Sequence, residues 1–326
     1  MTERWCGKHW YLRGLMSGSL AALLAATTLQ PPPAGAQPTQ PACTVTAANA
    51  ATPGAGVIEI EIGTAQPAAA TPSALPMASP VATPVAETDA LAEEITSTAE
   101  QLAACLSENE AAAVVQLASE RYLGQLFGSS VPLSVDDFLA ISQSISPTPV
   151  RIVSVEDVAR TAEDRATATV TQVVGSQLIE ATWTFKPSRT GTGWMVDAEQ
   201  RLPTTVPAGA DTIAVAIDNL SFAVEPASVE GSDVVLRGEN RDNLDHEMLV
   251  LKLEPGFTTQ DLLRAAGPDL PPQATYIGEV PVRAGHEQDL VLVDLEPGVY
   301  TIVCLFPNSD GVPHLAQGMA ATFTVE

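Results

Sequence analysis

Four side chains near the end of the chain can perform specific chemistry together: His246, Cys304, His314 and Met319. Nine residues separate the cysteine from the second histidine, and four separate that histidine from the methionine. Two imidazoles, one thiolate and one weak thioether are a soft nitrogen and sulfur donor set, which is the set of a trigonal type 1 copper site with a long axial bond. The sequence therefore predicts that these four residues bind one copper ion.

The segments around these residues can bring them to one point. Tyr300–Cys304 has the pattern of a strand that ends on the thiolate, and the loop 305–313 contains two prolines and a glycine that let the chain turn back. His314 then returns toward the cysteine, and Met319 approaches from the start of the final strand. Zinc is the chemical alternative, and it would need a fourth ligand such as Glu247.

Each of the four residues also has a simpler interpretation when it is taken singly. His246 would be a surface histidine beside Glu247, and His314 would be exposed after its Val-Pro dipeptide. Cys304 and Met319 would be buried core residues, as most free cysteines and methionines are. A sandwich without metal is therefore the alternative to a copper site.

From residue 212 onward the sequence is all-β in character. Short apolar runs recur between turn signals such as Glu-Pro-Gly, and this spacing predicts a β-sandwich. One short helix is expected near Thr258–Ala266, with Thr259 as its cap. The predicted strands are Ile213–Ile217, Phe222–Val224, Val234–Arg237, Met248–Leu253, Asp289–Val293, Tyr300–Cys304 and Ala321–Val325.

The residues 212–326 resemble the cupredoxin family. The motifs that carry the resemblance are Phe222-x3-Pro226-x4-Gly231, Asn240-x5-His246, Leu295-x-Pro297-Gly298-x-Tyr300-x3-Cys304 and His314-x4-Met319 before Phe323-Thr324-Val325. The resemblance implies a two-sheet sandwich in which the last three ligands surround the loop between the final two strands. Two features depart from the family: the loop after Cys304 is longer than in small electron carriers, and Glu247 replaces a neutral residue. That carboxylate would either disturb the site or point outward into solvent.

The residues 88–203 predict an α+β layout of helices followed by an antiparallel sheet. In its element order this stretch resembles the SnoaL-like fold of the nuclear transport factor 2-like superfamily. Ser107-x-x-Glu110 has the form of a capping box for the second helix. The predicted elements are a helix with Leu91, Ile95, Leu102 and Leu106 on one face, a helix with Ala118, Tyr122 and Leu126 that ends near Gly128, a short helix at Val135–Ile141, and strands at Val150–Val158, Ala166–Val174, Leu178–Phe185 and Trp194–Arg201.

The N-terminal residues indicate export. Residues 1–36 carry a basic start, an apolar stretch and an Ala-Gly-Ala cleavage site, so they predict a signal peptide. Residues 37–87, rich in Ala, Pro and Thr, predict a linker without a core. Removal of the signal leaves Cys43, Cys105 and Cys304, an odd number outside the cytosol. If Cys304 binds metal, the other two can pair, although Cys105 is equally compatible with a core position.

The charge of the chain limits its partners. The formal net charge is −24, and the predicted signal peptide is itself basic, so the mature chain is more acidic still. This negative charge argues against nucleic acid and against an anionic membrane surface as binding partners. It favours a redox partner protein with a basic patch. We expect a secreted or extracytoplasmic protein, with the cell surface as an alternative, and no membrane span after signal cleavage.

Three classes of function follow from these observations. The first is one-electron transfer at a type 1 copper site, and the second is a non-enzymatic binding module with a metal-free sandwich. The third is an enzyme on the α+β region, whose candidate acids are Asp136, Asp137 and Asp157 and whose tyrosine is Tyr122. None of the acids has an evident partner in sequence, and the mature chain has too few histidines for a multicopper enzyme, so no enzymatic activity is expected.

Overall fold

The computed structural model describes residues 42–44, 84–191, 193–265 and 270–326. The predicted signal peptide and nearly all of the predicted linker fall outside these ranges, so both stay predictions. Within the described ranges, no helix is long and apolar enough to cross a membrane.

The first half of the described chain contains the expected helices followed by antiparallel strands. Each strand pairs with the next along the chain, and the short helix and all four strands lie where the sequence predicts them. The elements are α1 (Pro84–Ser107), α2 (Ala111–Leu117), α3 (Glu120–Leu126), α4 (Val135–Ser142), β1 (Val150–Ala162), β2 (Arg165–Val174), β3 (Gln177–Pro187) and β4 (Trp194–Arg201).

The predicted capping box at Ser107 is wrong. Ser107 is the last residue of α1, and its hydroxyl oxygen accepts a hydrogen bond from the N–H of Val150 at 2.8 Å. α2 begins after Glu110, whose side chain makes no capping bond. The serine hydroxyl therefore joins α1 to β1 instead of starting a helix, a tertiary contact that no local pattern reveals.

The helix predicted through Ala118 is two helices. Ala118 has an extended backbone and forms a parallel bridge with Val196 of β4. Ser119 then caps α3 by accepting a hydrogen bond from the N–H of Tyr122. Pairing with the sheet breaks the helix here, although the apolar residues Ala118 and Tyr122 are buried as their spacing predicts.

A disulfide joins Cys43 to Cys105, with the Cα atoms 4.7 Å apart. Cys105 lies in the core between the helices and the sheet, so it is at once a core residue and a disulfide partner. Cys43 donates its N–H to the Glu108 carboxylate at 3.1 Å. The disulfide fastens residues 42–44 to α1, and Cys304 is the free cysteine of the described chain.

The second half is almost entirely β-structure. The predicted strands are all present, and two further strands, Ser228–Val229 and Ala274–Val282, lie outside the prediction. The short helix is capped by Thr258, not by Thr259 as expected. The elements are β5 (Asp211–Asp218), β6 (Ser221–Glu225), β7 (Ser228–Val229), β8 (Val234–Asn240), β9 (His246–Leu253), α5 (Thr259–Arg264), β10 (Ala274–Val282), β11 (Glu287–Leu292), β12 (Gly298–Val303), a 3-10 helix (His314–Gln317) and β13 (Ala320–Val325).

Two sheets enclose the main core of this half. One runs β1-β2-β3-β11-β8-β5-β6, with β4 also paired to β3, and the other runs β10-β9-β12-β13-β7. Apolar side chains from both sheets meet between them, among them Leu236, Val250, Ile302 and Phe323, each at most 1% exposed. This arrangement is consistent with a cupredoxin-like sandwich. The first of these sheets is continuous across both halves, because β3 pairs with β11.

Gln177 holds the two halves together where β3 meets β11. Its amide nitrogen donates to the carbonyl of Glu279 at 2.9 Å, and its amide oxygen accepts from the N–H of the same residue at 3.1 Å. Gln177 is buried, and it pairs with Leu292 across the sheet. The amide thus replaces two strand hydrogen bonds and fixes β10 against β3.

We expect Gln177→Leu to weaken this junction. The substitution leaves the N–H and C=O of the half-buried Glu279 without these partners, at a cost of up to about 1–3 kcal/mol for each unsatisfied group. Urea denaturation followed by circular dichroism should show a free energy of unfolding lower by roughly that amount. Gln200→Leu, at an exposed position of β4, is the matched control, and equal stability of the two variants would contradict the role of Gln177.

Candidate metal centre

The sandwich brings all four predicted ligands to one end. His246 is the first residue of β9, Cys304 directly follows β12, and β9 and β12 are paired neighbours. His314 opens the 3-10 helix, and Met319 directly precedes β13. The loop after Cys304 therefore leaves one strand and returns to its neighbour, as the positions of its prolines and glycine predict.

Three donor atoms converge tightly. The Nδ1 atoms of His246 and His314 lie 3.1 Å apart, and the sulfur of Cys304 lies 3.4 Å from Nδ1 of His314 and 3.9 Å from Nδ1 of His246. One donor atom from each of the three residues falls within 4.8 Å of the others. Two imidazoles and one thiol thus face a common point.

The site is buried, which contradicts the surface interpretation of both histidines. His246 is 0% exposed and His314 is 2% exposed. Cys304 and Met319 are fully buried, so the core interpretation describes their position correctly. Two imidazoles and a thiol that are buried together are typical of a metal site and not of histidines at a surface.

Backbone hydrogen bonds fix the return loop. The N–H of His314 donates to the carbonyl of Phe306 at 2.9 Å, and the N–H of Leu315 donates to the carbonyl of Cys304 at 2.8 Å. The N–H of Met319 donates to the carbonyl of His314 at 3.1 Å, and that of Cys304 donates to the carbonyl of Met319 at 3.4 Å. The backbones of three of the four residues are therefore bonded to one another.

Asp242 is a neighbour of the candidate site that the sequence pattern does not predict. Its carboxylate lies 3.3 Å from Nε2 of His246, so Nε2 carries the proton and Nδ1 presents its lone pair to the cluster. The buried Asn240 holds the preceding turn through bonds to the carbonyls of Leu244 and Val282. An acid four residues before a ligand histidine was the available signal, because such partners orient metal-bound imidazoles.

Glu247 does not point outward, so that expectation is wrong. It is only 8% exposed, and its Oε1 accepts a hydrogen bond from the N–H of Leu305 at 2.8 Å. Burial, with a smaller effect from Glu279, raises the pKa of its carboxyl to about 8. The N–H of Glu247 approaches the sulfur of Cys304 at 3.5 Å. Glu247 therefore contacts the Cys304 sulfur through its backbone N–H, and its carboxyl is not among the clustered donors.

The donor groups are uncharged before a cation arrives. Burial raises the pKa of the Cys304 thiol to about 12, with the nearby Glu247 carboxyl as the next cause. Burial also lowers the pKa of His246, against the opposing effect of Asp242, and lowers the pKa of His314. At neutral pH both imidazoles are neutral and ready to bind a metal, which would displace the thiol proton.

The arrangement fits a single copper ion. Metal–nitrogen bonds of about 2.0 Å and metal–sulfur bonds of about 2.3 Å place trigonal donors roughly 3.5–3.7 Å apart. The three observed separations, from 3.1 to 3.9 Å, bracket that spacing. Zinc would need a fourth ligand, and the carboxylate considered for it is hydrogen-bonded to Leu305. Met319, whose backbone is bonded to those of Cys304 and His314, would supply a thioether, a soft ligand that suits copper.

The α+β half offers no comparable cluster among its described residues. Its three candidate acids, Asp136, Asp137 and Asp157, are exposed. Tyr122 is buried and contacts the Trp183 ring at a centroid distance of 5.7 Å. The acids and the tyrosine that the sequence analysis considered for proton transfer therefore do not share a buried site.

Comparisons with known proteins give structural likenesses only. No protein-family model and no curated protein matches the chain. A reduced auracyanin from the photosynthetic bacterium Roseiflexus castenholzii is 23% identical over 36% of this chain and 99% of its own, with a TM-score of 0.26. Auracyanin A, a blue copper protein from Chloroflexus aurantiacus, is 18% identical over 36% of this chain and 100% of its own, also with a TM-score of 0.26.

A multicopper oxidase, McoA from Aquifex aeolicus, is also similar in structure. It is 13% identical over 45% of this chain and 41% of its own, with a TM-score of 0.22. The auracyanin likenesses span about a third of the chain. At these identities and TM-scores the assignment of the site rests on the donor geometry itself.

Proposed function

We propose that this chain is a secreted copper protein that transfers one electron at a time and is not an enzyme. His246, Cys304, His314 and Met319 are the ligands of a type 1 site in this proposal. The observation that carries it is the buried convergence of two imidazole Nδ1 atoms and one thiol sulfur within 4.8 Å. A copper ion bound there supplies one-electron exchange between its two common oxidation states.

The protein's own residues prepare the site for such exchange. Asp242 orients the His246 ring, and the N–H of Glu247 approaches the sulfur of Cys304, where it can stabilise a thiolate. Neighbouring strands and the bonded loop hold the donors in place, so little must move when the charge of the site changes. Exclusion of water and hydrogen bonds at the sulfur tune the redox potential of such sites.

The surface beside the site suits a basic redox partner in this proposal. Leu244 and Val312, each two residues before a ligand histidine, are 45% and 41% exposed. Asp245 and Asp310 are exposed on the same two segments. An apolar spot with acidic neighbours, on a chain with a net charge of −24, favours a transient complex with a positively charged surface.

An extracytoplasmic location belongs to the same proposal. The Cys43–Cys105 disulfide supports it, because disulfides persist in oxidising compartments. Export would follow from the predicted signal peptide 1–36. The division into a linker 37–87, a SnoaL-like region 88–203 and a cupredoxin-like region 212–326 remains part of the proposal as well.

A copper titration of the purified protein tests the function. We expect uptake of one copper ion with an intense visible thiolate-to-copper charge-transfer band and a matching electron paramagnetic resonance signal. Cys304→Ser should abolish the band, because the thiolate supplies its electron. A colourless wild-type protein without stoichiometric uptake would contradict the proposal and leave the metal-free binding module as the better interpretation.

Asp242→Ala should weaken copper binding while the three clustered donors remain present. Loss of the hydrogen-bond partner of a metal-binding histidine typically costs 10–100-fold in metal affinity. Competition with a chromophoric chelator measures this change. Asp310→Ala removes an equally negative but exposed side chain from the ligand loop, and we expect it to change the affinity less than threefold. Equal losses in both variants would reduce the effect of Asp242 to general electrostatics.

A further inference from the structure

A cavity of about 450 Å³ lies between the helical half and the sandwich. Phe127, Phe138 and Val150 line it from one side, and Leu249, Leu262 and Tyr276 line it from the other. We propose that this cavity binds one small, uncharged aromatic molecule that carries a hydroxyl group. None of the four predicted metal ligands lines the cavity, so the proposal does not require copper to be bound.

The size and the lining of the cavity are those of a ligand site. Small-molecule pockets commonly measure 300–1,000 Å³ and combine apolar walls with a few polar groups. Aromatic rings stand on both sides of this cavity, and Phe138, Leu249 and Leu262 are buried. Rings prefer to meet other rings edge-on or offset, so a planar aromatic molecule suits these walls.

Glu247 provides the polar end of the cavity. Its side chain lines the cavity, and its Oε1 accepts the N–H of Leu305. Its other oxygen is not among the fully buried side-chain atoms of the described chain that lack a partner, so it is accessible to a bound molecule. A hydroxyl group can donate to or accept from a carboxyl oxygen, so it can satisfy this atom in either protonation state.

The second acidic residue in the lining excludes anions. Glu279 lies half-buried beside Glu247 and acts on it electrostatically. A carboxylate ligand would be desolvated next to two acidic side chains with no described cation in the lining, which is costly. The proposed ligand is therefore neutral, and a matched carboxylate should bind much more weakly.

The cavity is held open by the junction of the two halves. Gln177 binds the backbone of Glu279, and the N–H of Ser176 donates to the carbonyl of Ile277 at 2.8 Å. These bonds fix β10, which carries Tyr276 and Glu279, against the end of β3. A pre-formed site needs little reorganisation on binding, which favours affinity.

Calorimetric titration of the metal-free protein tests the proposal with 2-naphthol as the probe and 2-naphthoate as its anionic counterpart. Thr148→Trp places a large ring in the lining, whereas Gln143→Trp places the same ring at an exposed position outside it. We expect one 2-naphthol site, with at least tenfold weaker binding in Thr148→Trp and unchanged binding in Gln143→Trp. 2-Naphthoate should bind at least tenfold more weakly than 2-naphthol.

Glu279→Gln provides a second test. It removes one acidic group from the lining and keeps the backbone groups that Gln177 binds, so the difference in affinity between 2-naphthol and 2-naphthoate should narrow. Absence of saturable 2-naphthol binding would overturn the proposal. Binding that Thr148→Trp leaves intact, or equal affinity for the two probes in the wild-type protein, would overturn it as well. Because no copper is present, these results are distinct from those of the copper titration.

Discussion

Replacement of both Cys43 and Cys105 by serine is expected to destabilise the helical half by about 4 kcal/mol. The disulfide closes a loop with a sequence separation of 62 residues, and the chain-entropy relation gives this value for a loop of about that length. Cys105 lies in the core formed by α1, α2 and the sheet. Loss of the cross-link raises the conformational entropy of the unfolded chain. The free energy of unfolding therefore falls.

Tryptophan fluorescence during urea denaturation can follow this effect. Trp183 and Trp194, the tryptophans of the described chain, both lie in the core of the helical half. The double serine variant should show an earlier transition by this probe. Cys304→Ser alters the other core and should leave the fluorescence transition in place. An unchanged midpoint in the double variant would mean that the disulfide contributes nothing to stability.

Much of the fold is predictable because its signals are local. The strands β2 and β3 alternate between buried and less buried residues along their length, a period of two that is visible in the sequence. β10 was missed because Gly278 and Pro281 interrupt that pattern. Its position is set by pairing with β9 at a sheet edge, where proline is tolerated.

The convergence of the residues of the candidate site can be predicted from their types and spacing, but their environment cannot. Cys304, His314 and Met319 lie within the single stretch 304–319, so the sequence limits how far apart they can be. The burial of Glu247 depends on Leu305, 58 residues further along the chain. Such long-range contacts, which no local pattern reveals, determine whether a carboxylate faces solvent or is buried beside the candidate site.

Glu247→Gln is expected to stabilise the metal-free protein at alkaline pH by on the order of 5 kcal/mol. The folded state raises the pKa of this carboxyl from 4.5 to about 8, and each unit of difference corresponds to about 1.4 kcal/mol. A raised carboxyl pKa means that the folded protein retains a proton that the unfolded chain releases. The free energy of unfolding of the wild-type protein should therefore fall as the pH rises from about 4.5 to about 8.

Glutamine removes this dependence because it is neutral at every pH and can still accept the N–H of Leu305. Thermal unfolding followed by circular dichroism should show similar stabilities near pH 4 and a growing advantage of the variant up to about pH 8, where the advantage levels off. Glu254→Gln, at an exposed position after β9, should follow the wild-type profile. Parallel profiles for Glu247→Gln and the wild-type protein would show that Glu247 is ionised in the folded state without cost. In that case Glu247 would carry a negative charge beside the Cys304 thiol at neutral pH. A negative charge there would stabilise the more highly charged of the two copper oxidation states.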